Sequence, residues 1–262
     1  MPVFALTAPP ARLTVDPDRG GRIASFELHG RELLVTDAQA NQVLGTRVAD
    51  PMAWGCYPMV PWAGRVRRGR FTFNDGEYQL ATNMAPHAIH GTGFSRPWMV
   101  QPDRSLRMDL GPGWPFGGYA IQRFALTGIS LTCTLEVHND DRTMPAMVGW
   151  HPWFKRPVGL AFAAKSMYLR DSEGIPTGET VRPPSGPWDD CFTNLAVAPR
   201  LVWPNGHALT ITSSCDHWVV FDERSHAVCI EPQSGPPDGL TLEPRTAGPG
   251  QPLVATMTWA WG

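Results

Sequence analysis

Leu131-Thr132-Cys133-Thr134-Leu135-Glu136-Val137 is the stretch that decides the fold class. Apolar and polar residues alternate through it. In a strand, successive side chains point to opposite faces, so Leu131, Cys133, Leu135 and Val137 would share a buried face. On a helix the same residues would scatter around the axis. Working outward, strand-like runs recur at Arg12–Val15, Arg22–Leu28, Arg70–Phe73, Trp98–Gln101, Tyr119–Leu126, Ser130–Val137, Ala146–Trp150, Leu209–Ser213, Trp218–Asp222, Ala227–Glu231 and Leu253–Trp261. Turn signals separate them: Asp18-Arg19-Gly20-Gly21, Asn74-Asp75-Gly76, Asn139-Asp140-Asp141 and Asn205-Gly206. No window sustains helical apolar spacing. Many short strands with turns between them predict an all-β chain forming a large antiparallel β-sandwich. Without a repeat or linker, residues 1–262 read as a single domain. The segment 171–187, rich in Gly, Pro, Ser and Thr, reads as a long loop.

Composition narrows the function classes. The net charge is −2 over 262 residues, and 18% of residues are charged. That balance gives no footprint for nucleic acid or a membrane surface. Gly and Pro together number 53 (26 and 27), yet 42% of the chain is apolar, so they signal turns rather than disorder. Eleven Trp against four Tyr is a surplus. Most belong in a core, and a minority on a concave surface would suit a ligand with apolar faces. Cys56, Cys133, Cys191, Cys215 and Cys229 form no CxxC pair. The N-terminus has no signal-peptide pattern, and no apolar run is long enough for a membrane span. The expectation is a cytoplasmic protein with reduced thiols.

Four segments combine titratable residues with Gly, Pro or Trp. Pro61-Trp62-Ala63-Gly64-Arg65 opens a cluster of arginines ending at Arg70. Most of these suit a solvated edge, while one beside Trp62 could project into a cleft and hold oxygens. Pro86-His87-Ala88-Ile89-His90-Gly91 reads as a loop. No HExxH or Cys/His quartet accompanies it, so no metal is expected, and no βαβ unit makes it a nucleotide loop. His87 reads as structural. Trp150-His151-Pro152-Trp153-Phe154 places a His among aromatics, where its environment can tune proton transfer near neutral pH. It could equally be a core His. Glu231-Pro232-Gln233 ends an apolar strand on a carboxylate before a stiff loop, a position suited to a general base. A weaker fifth segment is Trp188-Asp189-Asp190-Cys191-Phe192, whose acids could accept sugar hydroxyls or form a turn.

The order Arg after PWAG, then HG, HPWF, an acid before xxF, and EPQxxxPD resembles the aldose 1-epimerase (galactose mutarotase) family, from about Met59 to Asp238. The resemblance implies a β-sandwich with a sugar cleft and no cofactor, in an enzyme that interconverts the anomers of a free sugar. It implies His151 as general acid, Glu231 as general base, and Arg65, His90 and Asp189 as substrate-binding residues, with Asp190 as a register rival to Asp189. Gln233, Trp62 and Trp153 join the candidate sugar contacts. Gly64 stands where the family usually has Asn, and Trp153 where Tyr is commoner. Three alternatives stay open. One is a mutarotase of an anionic hexose, held by the Arg65–Arg70 cluster or by Lys155 and Arg156. Another is a non-catalytic carbohydrate-binding domain, and the third is a glycoside hydrolase using two carboxylates.

Overall fold

The alternation in residues 131–137 has the consequence expected of it. Strand Ser130–His138 pairs antiparallel with Tyr119–Leu126 on one side and Leu253–Ala260 on the other. Leu131, Cys133, Leu135 and Val137 are fully buried. The computed structural model describes residues 2–48 and 50–262. Among them, seventeen strands join in one curled, antiparallel sheet.

Two layers of that sheet face each other. One runs Leu106–Asp109, Tyr119–Leu126, Ser130–His138, Leu253–Ala260 and Ala208–Ser213. The other runs Ala11–Asp16, Arg22–Leu28, Cys56–Met59, Gly149–Lys155, Ala227–Gln233 and His217–Phe221. The long strand Asp189–Val202 belongs to both. Residues 189–193 pair with His217–Phe221, and residues 200–202 pair with Ala208–Ser213. Gly159–Arg170 lies along its other edge. Between the layers, Trp259 packs against Phe26 at 5.3 Å and Phe154 at 5.1 Å between ring centroids. The all-β sandwich expected from the pattern is therefore what the chain forms.

Some local expectations differ from the structure. The segment 171–187 is not a continuous loop: Pro176–Val181 is a strand paired to Gly159–Arg170. Its exposed, polar side chains hide the alternation that marks half-buried strands. The run 146–150 splits between Met144–Ala146 and Gly149–Lys155. Only Met99–Val100 of 98–101 is strand. A short helix, Asp37–Leu44, interrupts the β pattern. Its start is closed by the Gln39 side chain, which accepts from the Thr36 amide at 3.1 Å, and left-handed Gly45 ends it. Ala40 is its one buried residue, so it carries no apolar stripe to read. The five cysteines are buried and free. No helix among the described residues is long and apolar enough to cross a membrane.

Candidate active site

Sheet register assembles the site. His151 lies opposite Tyr57, Val219 lies opposite Glu231, and Trp153 lies opposite Cys229. Cross-strand partners share a face. Tyr57, His151, Glu231 and Val219 thus form a row across four strands. The same face carries Gln233 to one side of this row, and Trp153, Phe221 and Asp189 to the other. All eight line a cleft of about 810 Å³. The intervening residues Trp150 and Phe154 point to the other side, and both are fully buried. The alternation that builds the core therefore also builds the cleft.

Two loop strands add the remaining residues. Arg65–Val66 pairs with Ala88–Ile89, and the His90 amide donates to the Gly64 carbonyl at 3.0 Å. This brings Arg65 and His90 to one rim of the cleft. The turn is tight. A Cβ on Gly91, at φ +75°, would sit 2.0 Å from the Val60 carbonyl oxygen, so glycine is required. Gly64 also has positive φ (+67°), which explains how Gly can replace Asn there: both enter the left-handed region readily. His90 itself is left-handed, at φ 60°. That conformation is costly for a residue with a Cβ, so the surrounding turn has to hold it.

At the centre, His151 Nε2 lies 3.1 Å from Glu231 Oε1. Gln233 Nε2 donates to Glu231 Oε2 at 3.2 Å. The His90 ring meets His151 edge-on, with centroids 5.2 Å apart. Near-parallel rings continue outward from Tyr57 through His151, Trp153 and His226. Their successive centroid distances are 4.8, 5.3 and 6.0 Å. Trp153 therefore braces the His151 imidazole as well as lining the cleft. His90 Nδ1, His151 Nδ1 and Gln233 Oε1 are buried without a hydrogen-bond partner in the protein. Such atoms are costly to leave unpaired, and a ligand rich in hydroxyls would satisfy them.

Burial dominates the electrostatics. It pushes the His151 imidazole down to about 3 and His90 well below the usual histidine range. It pushes Glu231 well above the usual carboxylate range, with Asp189 adding to the rise and Gln233 and Arg65 opposing it. Both partners of the pair thus favour their neutral forms, with the proton on Glu231. Cys229 joins His151 and Glu231 to place three potential metal-ligand atoms within 4.8 Å of one another. Burial also holds the Cys229 thiol protonated, well above the ordinary thiol range. As it stands, the trio suits proton exchange better than thiolate ligation.

Asp189, not Asp190, lines the cleft. It faces Arg65 at 3.9 Å and Arg170 at 3.5 Å, while Asp190 is bound by Arg170 at 2.8 Å. Trp62 does not line the cleft. It is buried and stacked on Trp114 at 5.8 Å, because its side chain turns into the core beneath the arginine loop. His87 Nδ1 accepts from the Arg68 amide at 3.1 Å, a structural role. The expected arginine cluster is mostly spoken for. Arg67 binds Asp171 at 2.6 Å and Glu173 at 2.8 Å, Arg68 binds Glu173 at 2.7 Å, and Arg70 binds Gln79 at 3.1 Å. Arg156 donates to backbone carbonyls of Asp222, Arg224 and Ala227. Of the cluster, Arg65 alone reaches the cleft. The sequence reading missed Tyr57, Val219, Phe221, Arg224 and His226. Register places Tyr57, Val219 and Phe221, and the loop between the strands His217–Phe221 and Ala227–Gln233 places Arg224 and His226.

These features define a class: antiparallel sandwiches whose concave face carries a buried imidazole–carboxylate pair at the base of a polar cleft. The chain belongs to the aldose 1-epimerase family, whose model matches residues 5–235. It is 32% identical to the uncharacterized Escherichia coli K12 protein YphB over 215 residues, 79% of this chain and 70% of that one. The fold is similar to a galactose mutarotase-like protein from Clostridium acetobutylicum (TM-score 0.83, 16% identity, 99% and 95% of the two chains). It is also similar to galactose 1-epimerase from Lactobacillus acidophilus NCFM (TM-score 0.79, 18% identity, 99% and 94% of the two chains).

Proposed function

We propose that the chain is an aldose 1-epimerase that interconverts the α and β anomers of a free aldose by opening and reclosing its ring at C1. The observation that carries this reading is the contact between His151 Nε2 and Glu231 Oε1, 3.1 Å long, at the base of the cleft. Ring opening needs a proton removed from the anomeric hydroxyl and another delivered to the ring oxygen. Both oxygens are bonded to C1, so one tight acid/base pair serves both. Burial parks the shared proton on Glu231 in the free protein. Sugar hydroxyls that hydrogen-bond to the carboxylate favour its ionised form and move the proton to His151. Glu231 then takes the hydroxyl proton while His151 protonates the ring oxygen. The C1–O5 bond breaks, the aldehyde turns about C1–C2, and reclosure returns both protons. His90, Gln233, Arg65 and Asp189 hold the sugar oxygens. Positioning of this kind contributes to rate separately from proton transfer.

The neutral-sugar form of the reading is kept because Arg67, Arg68, Arg70 and Arg156 are engaged away from the cleft, leaving Arg65, which faces Asp189, and Arg224 as the arginines on its lining. A glycoside hydrolase is disfavoured because the group that meets Glu231 is an imidazole, not a second carboxylate. Anomer exchange by polarimetry or NMR, with freshly dissolved hexoses, tests the reading. Acceleration over the buffer rate supports it. Sugar binding without acceleration would make the chain a carbohydrate-binding protein instead. We further propose that the chain acts as a single domain in the cytoplasm.

A further inference from the structure

Arg22 has no part in the chemistry described above, yet it is completely buried. Its guanidinium donates three hydrogen bonds, all to backbone carbonyls rather than to a carboxylate. Nε reaches Arg19 O at 2.6 Å, Nη1 reaches Trp54 O at 2.9 Å, and Nη2 reaches Phe94 O at 2.7 Å. The cation also lies 4.2 Å from the centre of the Trp54 ring and 5.3 Å from that of Tyr57. A buried charge with no carboxylate hydrogen-bonded to it is expensive even with Asp16 across the strand pair, and burial drives this guanidinium down to about 10. The charge and its fork therefore call for a reason beyond stability.

The carbonyls it grips supply one. Trp54 immediately precedes Gly55-Cys56-Tyr57, and the Gly55 carbonyl accepts from the Trp153 amide at 2.8 Å. Phe94 ends the tight turn that starts at His90, and its ring packs on Tyr57 at 5.6 Å. Tyr57 in turn stacks on His151 and meets His90 edge-on. The two segments gripped by Arg22 thus carry the ring beneath His151 and the imidazole beside it. We infer that Arg22 is a positioning residue, whose guanidinium fork fixes the Trp54–Tyr57 and His90–Phe94 segments so that Tyr57 and His90 hold the His151 imidazole against Glu231. Two arginines then serve the pair differently: Arg65 lines the cleft, whereas Arg22 lies outside that lining and reaches the pair through Tyr57. The charge also disfavours a second cation on His151, which keeps that imidazole ready to release its proton.

This inference rests on the proposed anomer exchange, and its test keeps the two apart. Arg22→Lys retains charge but not the fork, and Arg22→Met removes both. For each, kcat and KM per folded protein would be measured on a hexose that the wild type turns over. The ¹⁵N shifts of the His90 and His151 imidazoles would be recorded without sugar. Loss of alignment should lower kcat about tenfold or more, since misplacement by ~1 Å can cost as much as 10², and because His90 also holds sugar any rise in KM should be smaller than the fall in kcat. Both imidazole shifts should move. A merely structural role would reduce the folded fraction and leave kcat and the shifts of the folded molecules alone. If Arg22→Met does not fold, Arg22→Lys decides. Wild-type kcat, or unmoved imidazole shifts, in a folded variant overturns the inference. If the wild type exchanges no sugar, the functional reading falls, while the imidazole shifts still decide whether Arg22 positions His151.

Discussion

His151 and Glu231 are individually ordinary residues made unusual by burial. Both are nearly inaccessible, and they meet at 3.1 Å. Removing either should remove a proton transfer rather than a strut. Glu231→Gln and His151→Ala are each expected to slow anomer exchange by about 10²–10⁴, the usual worth of a positioned proton transfer. Circular dichroism should show both variants folded, and near-wild-type exchange in either would sink the assignment. His90 differs, because its backbone is also strained at φ 60°. Asn tolerates the left-handed region but lacks the imidazole. His90→Asn should therefore keep stability within about 1 kcal/mol while exchange falls roughly tenfold, as expected for a lost hydrogen bond to substrate. Thermal melts and exchange rates, measured on the same sample, check both halves.

Elements hold these residues in register. The His151 and Glu231 strands sit side by side at the centre of one layer, paired on their outer edges by Cys56–Met59 and His217–Phe221. Arg65 has weaker support, a two-residue strand paired to Ala88–Ile89. Asp238 reinforces it from the opposite end of the chain: its amide donates to the Arg65 carbonyl, and its Oδ1 accepts from the Arg67 amide at 2.9 Å. Asp238 is left-handed, at φ 61°. Asp238→Ala loses the acceptor and adds left-handed strain, which together should cost about 2 kcal/mol. The loosened Arg65 should raise KM for sugar more than it lowers kcat. Asp238→Asn keeps the geometry and should stay close to wild type. Equal KM values in the two variants would show that this loop does not position Arg65.

Across the whole molecule, the buried site trades stability for chemistry, and pH exposes the trade. His151, lowered to about 3, and His90, also lowered, are neutral when folded but protonated when unfolded below the usual histidine value. Their contribution to stability is lost as pH falls from about 6.5, the unfolded histidine value. Glu231, raised, keeps its proton when folded after the unfolded chain has lost it. Its contribution is complete below the unfolded value near 4.3 and fades as pH rises through the raised folded value. The site therefore favours stability on the mildly acidic side of neutral. Glu231→Gln should flatten the alkaline decline of Tm relative to wild type, and His151→Ala should soften the acid decline. Parallel Tm–pH curves for all three proteins would contradict this account.

The amino-acid sequence specified the sandwich locally, because a period of two is a property that residues 131–137 display without help from distant contacts. It also marked His151, Glu231, His90 and Arg65, since each sits beside Gly, Pro or Trp in an irregular segment and their order resembles one family. It could not determine which neighbouring side chains share the cleft. Register across strands far apart in the sequence decides that, as in the pairing of His151 with Tyr57. Tertiary structure chose Asp189 over Asp190, sent Trp62 to the core, and turned 176–181 from loop into strand. It also tied Arg67 and Arg68 to Asp171 and Glu173. Burial, which no single residue possesses, set the protonation of His151 and Glu231.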